Sequence, residues 1–139
     1  MKKLLLATAV IESGAGLALM WRPSWAVALL VGSPLIAPAA VTLGRVTGVA
    51  LFALGVACWL AHHDQQSCAA SGLVTAMVFY NLGAAVVLSV AGLRSQTAGA
   101  ALWLTVVLHA VMAVCCVTSL LRTVEINNTS ALTPGQQKG

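Results

Sequence analysis

Four long apolar stretches separated by short polar breaks dominate the chain. They run from about Leu4 to Trp21, Ala39 to Ala61, Ala69 to Leu93 and Ala98 to Leu121. Each is long enough to cross a bilayer as a helix, which takes about 17–25 residues. The breaks hold the residues that stop spans. Arg22-Pro23-Ser24 follows the first, His62-His63-Asp64-Gln65-Gln66-Ser67 divides the second from the third, and Arg94-Ser95-Gln96-Thr97 divides the third from the fourth. Trp21, Trp25, Trp59 and Trp103 all fall near span ends, where an indole prefers the headgroup level. A further apolar piece, Trp25 to Ala37, is short and is interrupted by Gly32-Ser33-Pro34 and then Pro38. It predicts an interfacial or re-entrant segment, not another span. The expected fold is therefore all-α: an integral membrane four-helix bundle with a short interfacial or re-entrant segment after the first helix. Residues 1–122 form the transmembrane domain, and 123–139 are expected to be a polar, disordered cytoplasmic tail.

Composition narrows the class further. Of 139 residues, 60% are hydrophobic and 7% charged, against about 25% charged in an ordinary soluble domain. Mean hydropathy is +0.96. These values exclude a disordered chain, a coiled coil and most water-soluble enzymes. The net charge of +4 contains no basic run longer than Lys2-Lys3, and no basic stripe interleaved with aromatics. Nucleic-acid binding therefore has no footprint. Lys and Arg instead report topology. Lys2, Lys3, Arg122 and Lys138 fall on one side of the expected bundle, and Arg22 and Arg94 on the other. The excess predicts that both termini are cytoplasmic. The basic start and the run Leu4–Ile11 resemble a signal peptide, but Glu12 ends that run and apolar sequence resumes to Trp21. A retained first helix is expected.

One polar residue interrupts each span: Glu12, Arg45, Asn81 and His109. A charge at the centre of a membrane helix costs about 2.5–3.5 kcal/mol on insertion scales, so such residues are generally paired or functional. With a rise of about 1.5 Å per residue, Glu12 and Arg45 come within about 9 Å of each other in depth, and Asn81 and His109 lie near the midplane. The pattern predicts a buried layer with Glu12 and Arg45 as an ion pair, His109 as a titratable group and Asn81 as an orienting amide. On the first helix Thr8 and Gly16 share the stripe of Glu12. On the second, Gly44 and Gly48 bracket Arg45 at the spacing that lets helices approach closely. Such a layer either fixes helix register or binds a polar headgroup, a small acid or a quinone-like ring; a proton relay is a third use.

The cysteines are Cys58, Cys68, Cys115 and Cys116, with no CxxC. His62, His63, Cys58 and Cys68 gather near one end of the second and third spans and are weak candidates for Cu or Zn ligation. A solvated loop and small apolar filler residues are the commoner explanation for such residues. No metal site is assigned, and no cofactor is named by the sequence.

The opening pattern Ile11-Glu12-Ser13-Gly14-Ala15-Gly16-Leu17-Ala18 followed by Arg22-Pro23, together with Gly44-Arg45-Val46-Thr47-Gly48 and Tyr80-Asn81, resembles small bacterial four-helix membrane proteins of DoxX-like layout. The resemblance reaches to about Arg122 and implies a multi-pass protein of the bacterial cytoplasmic (inner) membrane. It carries no activity. The sequence thus predicts an accessory or scaffold membrane protein, non-enzymatic, whose polar layer is structural or binds a small ligand. The alternative is a small transporter or membrane enzyme using Glu12, Arg45 and His109. Its partners are the lipid bilayer and, through the Gly-rich second span, further copies or another membrane protein.

Overall fold

A computed structural model describes residues 2–64, 67–94 and 98–132. Those residues are helical apart from short connections, with no strand among them. The helices are α1 (Lys2–Trp21), α2 (Pro23–Val31), α3 (Pro38–Ala61), α4 (Cys68–Arg94) and α5 (Leu102–Leu132). Four segments are long and apolar enough to cross a membrane: α1, α3, α4 and Leu102–Glu125 of α5. The chain is a multi-pass membrane protein. Its outer faces are rich in Leu, Val, Phe and Trp, as a lipid-facing surface must be.

Three helix starts follow from single residues. Pro23 and Pro38 stand at the first position of α2 and α3, where the missing N–H costs nothing and the fixed φ suits the helix. Ser67 caps α4: its Oγ accepts the Ala70 N–H at 3.1 Å. At the other end of α2, Gly32 takes φ 80° and closes the helix by donating its N–H to the Ala28 carbonyl at 2.9 Å. A left-handed residue of this kind favours glycine.

The α5 helix runs on to Leu132, well past Arg122. The first part of the expected tail is thus helical, because the polar residues after Arg122 include no helix-stopping Gly or Pro before Pro134. The rest of that tail, 133–139, lies outside the described residues, as do Gln65-Gln66 and Ser95-Gln96-Thr97.

The helices associate as two antiparallel pairs, α1 with α3 and α4 with α5. The first pair is very close, and glycine makes it so. A Cβ on Gly48 would stand 2.7 Å from the Gly16 carbonyl oxygen and the Met20 nitrogen, and one on Gly16 would stand 2.6 Å from the Phe52 nitrogen. A Cβ on Gly55 would stand 2.8 Å from the Ser13 nitrogen. Backbone meets backbone along this stripe, the arrangement small residues permit in membranes.

The two pairs meet less closely, through side chains. Leu5, Ala9, Cys58, Val74, Met77 and Cys116 form the buried core in the half of the bundle nearer the termini. In the other half, α2 packs against α1, α3 and the start of α5. The α4–α5 connection clamps it there: Gly99 donates its N–H to the Leu30 carbonyl at 3.1 Å and Ala101 to the Leu29 carbonyl at 3.0 Å. These carbonyls belong to the last turn of α2 and have no partner within their own helix. Ser24 adds a hydrogen bond from Oγ to the Leu35 carbonyl at 2.9 Å, holding the segment between α2 and α3.

Candidate functional site

In the seam between the two pairs, three helices contribute to one polar cluster. Glu12 of α1 is buried, 5% exposed, although it is a carboxylic acid in the middle of an apolar span. Its partner is a phenol: Tyr80 of α4 donates its hydroxyl to Glu12 Oε2 at 3.0 Å. The Tyr80 ring in turn lies against the His109 ring of α5, with centroids 5.8 Å apart and planes tilted by 57°. His109 also lies within electrostatic range of Glu12.

The tautomer of His109 follows from its neighbour. Nδ1 is 2.8 Å from the Thr105 carbonyl oxygen, which can only accept, so Nδ1 carries the proton. In the neutral ring this leaves the lone pair on Nε2, which has no hydrogen-bond partner among the described residues. The ring is only half-buried. Glu12 offers an oxygen, Tyr80 a hydroxyl and His109 a free acceptor nitrogen, all at one depth.

Around this cluster lie groups that hold it in place. Thr8 is buried one turn from Glu12, and Gly16 one turn further, so the stripe Thr8-Glu12-Gly16 faces inward. Asn81 is buried next to Tyr80 in sequence, but its amide turns back on its own helix: Nδ2 donates to the Met77 carbonyl at 2.7 Å. It supports α4 locally and makes no interhelical hydrogen bond among the described residues. The Cys58 thiol of α3 is fully buried within electrostatic range of Glu12 and Cys116.

The structure overturns the expected ion pair. Arg45 is exposed on α3 and makes no contact with Glu12. Both register and facing explain this. The pairs Gly16/Gly48 and Ser13/Gly55 set α1 and α3 antiparallel so that Glu12 stands beside the turn near Leu54. Arg45 lies further toward the α2 end by about 13 Å at 1.5 Å per residue. On the α3 wheel Gly44, Gly48 and Gly55 share the face that meets α1 and α2, and Arg45 is turned from the centre of that face by about 80° at 100° per residue. The glycine stripe governs which face packs, and the arginine next to it is carried outward. Its long stem can then reach toward the membrane surface.

Tyr80 is the residue that sequence reasoning missed. It is the chain's single tyrosine, it falls in mid-span, and a phenol there must find a partner. That signal was available in the sequence.

The weak metal candidates are placed differently from one another. Cys58 points into the core, Cys68 is exposed at the first turn of α4, and His62 is buried with Nδ1 directed at the Trp59 carbonyl. The His62 and His63 rings lie 3.7 Å apart. Among the described residues no group of three His, Cys, Asp or Glu side chains is close enough to hold a metal ion.

No family model matches the chain, and no curated protein or solved structure matches it as a relative. The chemistry therefore has to be read from these side chains. Two hydrogen-bonding groups and one imidazole, from three helices, meet between the two helix pairs. Their arrangement suits a neutral or weakly acidic hydrogen-bonding group that arrives with an apolar body. Among the described residues the contact between Tyr80 and His109 is ring against ring, without a direct hydrogen bond between them.

Proposed function

We propose that this protein is a non-catalytic membrane accessory protein that holds the polar end of a small membrane-borne molecule at Glu12, Tyr80 and His109. One observation carries the reading: three polar side chains on three helices converge in the seam between two helix pairs, with the His109 Nε2 lone pair left over. Among the described residues every buried side-chain nitrogen or oxygen has a partner; Nε2 is left over on a half-buried ring, where a molecule among the helices or lipid tails can reach it. The ligand this chemistry selects carries a hydrogen-bond donor for Nε2 and an apolar remainder that lies among the helices or lipid tails.

The same proposal puts the protein in the cytoplasmic membrane of a bacterium with both termini inside, supported by the bias of Lys2, Lys3, Arg122 and Lys138 over Arg22 and Arg94. The DoxX-like layout belongs to this proposal as well. It rests on the short motifs around Glu12, Arg45 and Tyr80.

The test is chemical. Protein purified in mild detergent is extracted with organic solvent, and the extract is compared by mass spectrometry with that of a Glu12→Gln/His109→Phe double variant. The wild type should carry one non-lipid species that the variant has lost by at least about tenfold, the loss expected from about 1.4 kcal/mol of binding energy. Identical extracts, or extracts containing membrane lipids alone, would contradict the proposal.

A further inference from the structure

A second site lies at the α2 end, on the outside of the bundle and independent of the buried cluster. Where α1 stops and α2 begins, Leu17, Ala18, Trp21, Arg22 and Trp25 line an open groove of about 460 Å³. Among the described residues Arg22 is the only charged one that lines it. It stands at the break itself, between Trp21 and Pro23. We propose that this groove binds an anionic phospholipid of the adjoining leaflet, with the lipid phosphate on Arg22 and an acyl chain along Leu17 and Ala18.

Depth supports this first. The 20 residues of α1 rise about 30 Å, which matches the thickness of the hydrocarbon core. Trp21 and Arg22 therefore stand at the hydrocarbon boundary, where phosphates lie, and the flanking indoles suit that level. Leu17 and Ala18 lie about one turn, or 5 Å, deeper. The groove is cationic at the phosphate level and apolar beneath it, the same order as a phospholipid.

Charge supports it second. All three acidic residues of the chain lie elsewhere: Glu12 is buried in the seam, and Asp64 and Glu125 are at the opposite end of the bundle. Arg22 has no carboxylate partner among the described residues, so its counter-ion comes from outside the chain. A guanidinium binds phosphate through two parallel hydrogen bonds, which an ammonium cannot match. Arg94 ends α4 at the same side of the bundle, equally cationic, and is not among the residues that line this groove. The proposal thus separates a site at Arg22 from the general attraction of any surface cation for anionic lipid.

The experiment uses the protein's own indoles. A Trp59→Phe/Trp103→Phe variant keeps only Trp21 and Trp25, the two in the groove. It is reconstituted into phosphatidylcholine vesicles containing a rising fraction of brominated phosphatidylglycerol or brominated phosphatidylcholine, and quenching gives the relative affinity of the two lipids. Phosphatidylglycerol should be favoured by about fivefold, the scale of one cation acting near an anionic headgroup. Arg22→Gln should bring the ratio close to one, while Arg94→Gln should leave it unchanged. A ratio near one in the parent protein overturns the proposal. So does an equal fall on Arg94→Gln, which would show diffuse surface attraction.

Discussion

Gly48→Leu is expected to destabilise the bundle by at least about 3 kcal/mol, the upper range for overpacking a tight interface. The cost is high because the obstruction is backbone. A Cβ at residue 48 would meet the Gly16 carbonyl oxygen and the Met20 nitrogen at 2.7 Å, and neither can rotate away as a side-chain tip can. The α1 helix would have to move off α3 along its length, and Glu12 would be drawn away from Tyr80 with it. Equilibrium unfolding in mixed micelles reads the effect. Gly83→Leu is the matched control: a Cβ there meets nothing within 4 Å, so the change should stay within about 0.5 kcal/mol. Equal stabilities for the two variants would mean that α1 and α3 do not pack through their glycines.

Gly99→Val should release α2. A Cβ at this position would overlap the Leu29 carbonyl, and the amides of Gly99 and Ala101 are the groups that satisfy the last turn of α2. Losing both hydrogen bonds should cost about 1–3 kcal/mol, at 0.5–1.5 kcal/mol each. Hydrogen exchange at the Ala101 amide is the direct readout. Exchange should quicken by at least about fivefold, the factor for the lower bound of about 1 kcal/mol. Ala100→Val, at an exposed neighbouring position, should leave that amide protected. If Gly99→Val also leaves it protected, α2 is held by something other than this connection.

Much of the fold was legible because the membrane makes its demands in simple terms. The long apolar runs ending at Trp21, Ala61 and Leu93 stop within a residue of the helix ends at Trp21, Ala61 and Arg94, since Pro, His and Arg at the breaks stop both helix and burial. The short piece after Arg22 was readable as a non-spanning helix from its length and from Gly32 and Pro34. The fourth span was read as starting at Ala98, yet α5 begins at Leu102, because Gly99 and Ala101 are used to hold α2. No periodicity within one segment announces that kind of long-range hydrogen bond.

The polar site was legible only in part. Glu12, Asn81 and His109 stood out as isolated polar residues in apolar spans, and they do sit at buried or half-buried positions. Pairing them was the harder step. Opposite charge and a modest depth difference favoured Arg45 for Glu12, but helix register and facing were set by Gly48 and Gly55, whose backbone contacts leave little choice. The partner came instead from α4, as a neutral hydroxyl. A phenol carries no formal charge into the membrane and needs only one acceptor, so Tyr80 fits the seam at lower cost than a guanidinium.

The account turns on which residue Glu12 engages, and a pair of double-mutant cycles measures it. Unfolding free energies in mixed micelles are needed for Glu12→Ala, Tyr80→Phe, Arg45→Ala and the two doubles that share Glu12→Ala. Glu12 and Tyr80 should couple by about 0.6–2 kcal/mol, the range for interhelical hydrogen bonds in membranes. Glu12 and Arg45 should be additive within about 0.5 kcal/mol, as separated residues are. Coupling of Glu12 to Arg45 with additivity toward Tyr80 would contradict the site described above.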